Sequence, residues 1–493
     1  MANRLIYIKG GSRGKGSAAQ RMKDQLQKRY GLPMAIAMVV GIVIGSGVFF
    51  KAETVLKATG GDVLTGILAW AIVGVVMMIC AYTFSIMASR YEKVNGVVDY
   101  AEVMVGPRYG YYMGWFMTFI YQPAITSVLA WVSARYTCVL LGWDITGGAC
   151  MTIAAFYLIG SYAVNTLSPI IGGKLQVSTA VIKLVPLAAM AVIGTVSGLV
   201  NGTLAENFAV TAGTAAGSGT GLFTSVVAVA FAYEGWIIAT SINAELRDAK
   251  KNLPRALIFG SLIVVVVYIL YYIGLASVVP SSVLMQSGEQ SARLAFSQVF
   301  GSVAGTLLFV FVIISCLGTL NGLMIGSIRG LYSLSARGEG PKPEVFISLD
   351  HKTNMPANSA VVGLLICMAW LAYFFGANLD SVRWFGAFSF DSSELPIITL
   401  YAAYIPVFIR MIKKEKDLPF FKRVLMPVLG ILSCLFMVAA AIIGHGMAVA
   451  YYLAIFAVIM LAGVLFEKKK KSITFFLDQR RLPDIRKPSL IKE

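Results

Sequence analysis

Charge is scarce in this chain: Asp, Glu, Lys and Arg make up 13% of its 493 residues, while hydrophobic residues make up 58%. A water-soluble protein of that composition has too little polar surface to cover itself. Acidic residues are scarcer still, 24 against 41 Lys and Arg, which gives a formal net charge of +17. Histidine is almost missing. His351 and His445, the only two, lie far apart along the chain, so imidazole-based metal or acid–base chemistry has no pair to work with. The expectation is no metal, no cofactor and no enzyme. Six cysteines (Cys80, Cys138, Cys150, Cys316, Cys367 and Cys434) sit in or at the ends of apolar runs without metal-ligand spacing, as small apolar residues do. Cys138 and Cys150 flank one short loop, the one place where a disulfide is conceivable; free thiols are the expectation.

What the chain has in abundance is apolar length, with a mean hydropathy of +0.77. A helical crossing of a bilayer takes about 20 residues. Twelve such runs are expected: 33–58, 63–89, 109–141, 148–167, 169–198, 221–247, 254–278, 302–336, 358–377, 381–411, 424–444 and 446–466. The positive charge suggests a nucleic-acid ligand, but its distribution excludes one. With the N-terminus inside, Lys and Arg collect on the cytoplasmic side, as the positive-inside rule requires. Eight lie in the tail up to Arg29, and others cluster at Arg90/Lys93, Arg247–Arg255, Arg337–Lys352, Arg410–Arg423 and Lys468–Lys471. Only Lys51, Lys57, Arg135, Arg293 and Arg383 fall toward the outside. The basic tails are also suited to anionic lipid. The first 32 residues lack an apolar core leading to a cleavage site, so no signal peptide is expected. Gly10–Gly16 is glycine-rich but lacks the spacing and the preceding strand of a phosphate loop.

Two interruptions stand out within the apolar runs. Gly45-Ser46-Gly47 divides the first, and Phe231-Ala232-Tyr233-Glu234-Gly235-Trp236 divides the sixth, about 190 residues later. An unwound backbone inside a bilayer is costly unless other groups satisfy its amides and carbonyls. Paired breaks at corresponding places in two halves of a chain point to a substrate site of a secondary transporter. Gly41-x-x-x-Gly45 by itself would equally serve close helix packing.

The residues around these breaks carry a resemblance. G-I-V-I-G-S-G-V-F from Gly41 to Phe49 is similar to the first-helix signature of the amino acid–polyamine–organocation (APC) superfamily. F-A-Y-E-G-W with N-A-E-L-R-D-A-K-K-N-L-P-R-A-L, residues 231–257, resembles that family's sixth helix and exit. S-C-L-G-T-L-N-G with R-G-L-Y-S-L-S-A-R-G-E-G-P, residues 315–341, resembles its eighth. V-I-K-L-V-P-L around Lys183 is like the K-L-x-P-L of sodium-independent branches. The bacterial relatives of the L-type amino acid exchangers are the most similar branch. One stretch departs: Ile86–Gly96 lacks the family's Glu, Pro and one Gly, and Asp99 follows where an uncharged residue is usual.

The resemblance implies an all-α integral membrane protein of twelve transmembrane helices with a leucine-transporter-like 5+5 inverted repeat, broken in helices 1 and 6. The repeats would be residues 33–198 and 221–411, with helices 11 and 12 at 424–466 and basic cytoplasmic tails at 1–32 and 467–493. It implies amino acid transport in the cell membrane, either exchange or proton-coupled. A cationic amino acid or polyamine antiporter and a transporter-like nutrient receptor are the alternatives.

Chemistry assigns roles around the breaks. The amides of Ser46, Gly47 and Val48 open a half-helix whose positive dipole end suits a carboxylate, and Gly45 and Gly47 let the ligand come close. Carbonyls of Ile42 and Ile44, with Phe231, Ala232 and Glu234, suit an ammonium. In the family the aromatic at Phe231 closes over substrate and Trp236 lies near the pocket wall. Lys183 matches the lysine whose ammonium replaces a sodium ion against the first helix, with Ser315 beside it. Glu234 has three open readings: pairing with a cationic side chain, carrying a proton, or hydrogen-bonding the broken helix. Asp391 and Glu394 are further intramembrane carboxylates, expected on the tenth helix as gating residues. Glu245, Arg247, Arg329 and Arg337 are either an inner gate or a solvated rim, and Asn321-Gly322 is a packing feature. No cysteine lies in the loop between the third and fourth runs, where eukaryotic relatives bond a glycoprotein subunit, so none is expected here.

Overall fold

A computed structural model describes residues 31–467, apart from 46, 92–95, 210–219, 238–239, 241–245, 288–289, 351 and 354. Ser46, Lys93, Glu245, Lys468–Lys471 and most of both tails therefore lie outside the described residues. Among those described, long helices dominate and no β-sheet forms. In chain order the principal ones are α1 (Leu32–Val43), α2 (Gly47–Ala58), α3 (Val63–Arg90), α4 (Val97–Met104) and α5 (Pro107–Leu141). Next come α6 (Gly148–Leu167), α7 (Pro169–Ile182), α8 (Leu184–Asn201), α9 (Thr203–Ala209) and α10 (Gly221–Ala232). The rest are α11 (Ala249–Val278), α12 (Ser281–Ser287), α13 (Ser291–Ala336), α14 (Pro343–Phe346), α15 (Ala357–Leu379), α16 (Leu395–Lys414), α17 (Phe421–His445) and α18 (Met447–Val464).

Ten helices among the described residues are long and apolar enough to cross a membrane, or eleven if α1 and α2, bent by 40°, count as one span. At 28 residues, α3 is about 42 Å long, more than the roughly 30 Å hydrocarbon core. Val200, Val303 and Leu465 are each at least 80% exposed, as apolar residues on the outer faces of a membrane bundle are. Polar side chains cap helix ends and link neighbouring helices. Asp62 caps α3, accepting from the Thr65 amide at 3.1 Å and hydroxyl at 2.7 Å. Asn321 on α13 accepts from the Asn165 amide of α6 at 2.8 Å and donates to the Gly172 carbonyl of α7 at 3.0 Å. That is the packing and hydrogen-bonding feature expected of it. All six cysteines are free and buried, Cys138 and Cys150 included.

Four expected runs differ from what forms: the fifth, 169–198, is interrupted at Lys183, between α7 and α8. The sixth, 221–247, is no continuous helix: α10 stops at Ala232, after which Tyr233–Gly235 form turns. The tenth, 381–411, makes one short 3-10 turn at Gly386–Phe388 and becomes α-helical only at Leu395. Asp391 and Glu394 are thus in the segment that enters α16, with Glu394 at its N-cap, rather than on a helix. The Asp391 carboxylate accepts from the Ser393 amide at 2.6 Å and stabilises that turn. The eighth begins earlier, at Ser291, and bends where Gly301 adopts φ 78°, ψ 168°. Hydropathy marks apolar runs whether or not they are helical, so these boundaries escape it.

Candidate functional site

The two breaks meet. α1 ends where Ile44 turns extended, at φ −67°, ψ 105°. α10 ends at Ala232, and Gly235 takes φ +105°, a value that L side chains rarely adopt. A Cβ on Gly47 would run into the backbone of Ala232. One on Gly235 would come within 3.2 Å of the Ile42 side chain and 3.3 Å of its carbonyl oxygen. Glycine at both places lets the ends of the broken helices cross in contact.

A helix that stops in mid-bundle leaves carbonyls that need donors. The Lys183 ammonium, fully buried, donates to Gly41 O at 2.5 Å and to Ile44 O at 2.6 Å. Thr319 Oγ1 lies 3.5 Å from it and Ser315 Oγ lies 3.5 Å from Gly45 O, both on α13. The Tyr268 hydroxyl, from α11, is 2.9 Å from Val43 O and 3.1 Å from Ala232 O, so one O–H serves both broken ends. Trp70 holds the Tyr268 ring edge-on at 5.6 Å, and Tyr233 lies against it at 5.1 Å. Tyr268, Thr319 and Trp70 had no sequence signal: each is one polar or aromatic side chain in an apolar run.

Of the residues expected to bind substrate, Ile44, Gly45, Gly47, Val48, Phe231, Ala232 and Glu234 gather at this crossing, all buried, with Ile42 half-buried beside them. The first turn of α2 presents the Gly47 and Val48 amides there. Trp236 is fully buried against Phe84 and Tyr404, with ring centroids 5.8 and 6.1 Å away. The Ile44 carbonyl is engaged by Lys183, leaving one lone pair for any other donor.

Glu234 is buried and accepts a short hydrogen bond from the Tyr121 hydroxyl. Tyr121 ends a π-helical turn, Met117–Tyr121, within α5. Such a turn inserts one residue and re-aims the side chains beyond it, and it is frequent at functional sites.

Toward the Ala58 end of the bundle, Lys51 is the unexpected residue. Counted by sequence among the few charges that fall toward the outside, it is 2% exposed and bonds Glu394 Oε1 at 2.6 Å and Ser393 Oγ at 3.2 Å. Its ammonium also lies 5.2 Å from the centre of the Phe231 ring. Arg135 is likewise buried, 3.9 Å from Glu53 and over the Trp131 ring.

At the opposite, Leu32 end, ion pairs join the helix termini. Arg337 pairs with Asp99 and, at 3.0 Å, with Glu102, so the unusual Asp99 has a partner. Arg90 pairs with Glu415 at 2.5 Å and Asp417 at 2.6 Å. The Arg247 carbonyl accepts from Asn252. Partial burial pushes the Glu339 carboxyl up to about 7; Arg337 opposes that shift, while Glu102 and Glu467 add to it.

No cluster of His, Cys, Asp and Glu among the described residues could hold a metal ion. The arrangement can do something else: offer amides to an anion and nearby oxygens to a cation, inside a closed bundle.

Comparison with known proteins bears on what that ligand is. A family model described as "Amino acid permease" matches residues 30–465. The serine/threonine exchanger SteT of Bacillus subtilis is 27% identical over 85% of this chain and 92% of its own length. The human b(0,+)-type amino acid transporter 1 is 28% identical over 90% of this chain and 87% of its own. The human cystine/glutamate transporter is 24% identical over 85% and 81%.

Proposed function

The chain belongs to the amino acid permease family, and on that premise we propose that it exchanges amino acids across the cell membrane, independently of sodium. The observation that carries the proposal is the contact between Gly47 and Ala232, which sets two helix breaks side by side. An amino acid's carboxylate would take the amides of Ser46, Gly47 and Val48. Its ammonium would take the oxygens of Ile42, Phe231 and Ala232 across the crossing. Phe231 would close over the substrate, and Trp236 would support the wall from behind.

Lys183 supports sodium independence: an ammonium on the Gly41 and Ile44 carbonyls occupies a place where a coupling cation would be held. Ser315 supplies a further oxygen beside it. Twelve spans in two inverted five-span repeats, 33–198 and 221–411, followed by helices at 424–466, would alternate access by rocking around this site. Both tails, 1–32 and 467–493, would be cytoplasmic, which the distribution of Lys and Arg supports. The loop from Gly142 to Gly147 holds no cysteine, in keeping with function without a glycoprotein subunit.

Glu234 favours a second reading, transport of a cationic amino acid or polyamine, because a buried carboxylate beside the site needs a cation or a proton. Counterflow into proteoliposomes loaded with each of a panel of amino acids, with and without sodium and a pH gradient, separates these readings. Exchange of neutral amino acids without sodium supports the first, and exchange confined to cationic substrates supports the second. Uptake that needs sodium would contradict both.

A further inference from the structure

The hairpin 415–420 joins α16 to α17 at the Leu32 end, with Lys413 before it and Lys422 after it. Its two acids are already engaged: Arg90 of α3 holds Glu415 at 2.5 Å and Asp417 at 2.6 Å. Arg410, Lys413, Lys416 and Lys422 are exposed, and no carboxylate among the described residues pairs with them. By occupying the acids, Arg90 leaves these cations uncompensated.

The positive-inside rule accounts for cations at this end, but not for what lies between them. Phe420 is 71% exposed in the midst of the charges. Phe421, Leu425, Val428 and Leu432, one at each turn of α17, form an exposed apolar stripe. Cations beside exposed aromatic and aliphatic side chains suit a layer of lipid headgroups. The stripe also leads somewhere. Val75 and Val76 of α3, with Leu432 and Phe436 of α17, line an apolar groove of about 470 Å³. From Lys422 to Ser433 a helix rises about 17 Å, close to the roughly 15 Å of hydrocarbon in one leaflet. Charge at the rim and an apolar track of leaflet depth behind it match the two halves of a phospholipid.

We propose that the α16–α17 hairpin binds an anionic phospholipid, its phosphate among Lys413, Lys416 and Lys422 and one acyl chain along the stripe into the groove between α3 and α17. The site is independent of what the crossed breaks carry.

The test titrates the full chain in detergent micelles with a phosphatidylglycerol that bears a fluorescent acyl chain. Unlabelled phosphatidylglycerol should displace the probe; phosphatidylcholine and inorganic phosphate should not. The triple variant Lys413→Gln/Lys416→Gln/Lys422→Gln should bind at least about tenfold more weakly, since each cation near an anionic surface is worth about fivefold. Lys416→Glu, a single change in an exposed loop, should act in the same direction and keeps the test open if the triple variant folds poorly. Val75→Trp, which fills the groove from its exposed side, should weaken binding several-fold. Lys250→Gln/Lys251→Gln/Arg255→Gln, which removes a second exposed cluster at the same end, should leave binding unchanged. Equal loss in that control would reduce the site to diffuse charge and overturn it. Unchanged affinity in the hairpin variants or in Val75→Trp would overturn it too, as would displacement by phosphatidylcholine or inorganic phosphate as strong as by phosphatidylglycerol. A wild-type chain that takes up no phosphatidylglycerol would end the proposal and leave the hairpin to an acidic protein partner.

Discussion

Gly47 and Ala232 touch so closely that no side chain fits between them, although 185 positions of chain separate them. Gly47→Ala would force a methyl group into the Ala232 backbone, and overpacking of that kind costs about 1–3 kcal/mol. We expect counterflow to fall about tenfold or more, since each 1.4 kcal/mol is roughly a factor of ten. Gly160→Ala is the matched control: nothing lies within 4 Å of a Cβ there, so transport should hold and thermal stability should rise slightly.

Lys183→Ala would strip the Gly41 and Ile44 carbonyls of a charged donor. A buried unsatisfied acceptor costs about 1–3 kcal/mol, so uptake should drop by about tenfold or more. Replacing sodium by choline should leave wild-type uptake unchanged. Wild-type uptake that collapses in choline, or full activity in Lys183→Ala, would remove the ammonium from the mechanism.

Glu234→Gln keeps an acceptor for Tyr121 while removing the charge. Exchange of neutral amino acids should stay within about twofold, whereas Glu234→Ala, which orphans the buried hydroxyl, should lose about tenfold. If Glu234→Gln instead abolishes exchange of cationic substrates and spares neutral ones, the carboxylate is a substrate ligand. If it flattens the pH profile of transport, it carries a proton.

Glu339 gives a pH test at the Leu32 end. Its folded value, about 7, lies above the ordinary carboxyl value, so the fold favours the protonated form. Its stabilising contribution is complete at low pH and is lost as pH rises through 7. Melting of the purified protein should therefore move down by a few degrees between pH 5.5 and 8. Glu339→Gln should remove that slope; a slope that survives the substitution assigns it elsewhere.

Much of this architecture was legible because a bilayer imposes simple rules. Apolar length marks a crossing, and a Gly-x-Gly or Glu-Gly inside one marks a place where winding fails, as at Gly45–Gly47 and Glu234–Gly235. Lys183 was legible in two steps: a charge in mid-run had to face the protein interior, and the family resemblance implied that its ammonium lies against the first helix. The sequence said little where the partner is remote. Lys51 and Glu394 are 343 positions apart, and each reads alone as a surface or pathway charge. Tyr268 is one of 22 tyrosines, and nothing local says that its hydroxyl meets two helix ends. Residues 381–394 read as part of an apolar run, yet turns around Gly386 and Asp391 delay the helix to Leu395.

The Tyr268 hydroxyl has a mechanical consequence. Sharing one proton between Val43 and Ala232 ties the stump of α1 to the stump of α10. Parting them strands a carbonyl, at about 1–3 kcal/mol. Motion that keeps this bond must therefore carry the two stumps together. A phenylalanine at position 268 would uncouple the two, turning a single concerted swing into two loose joints.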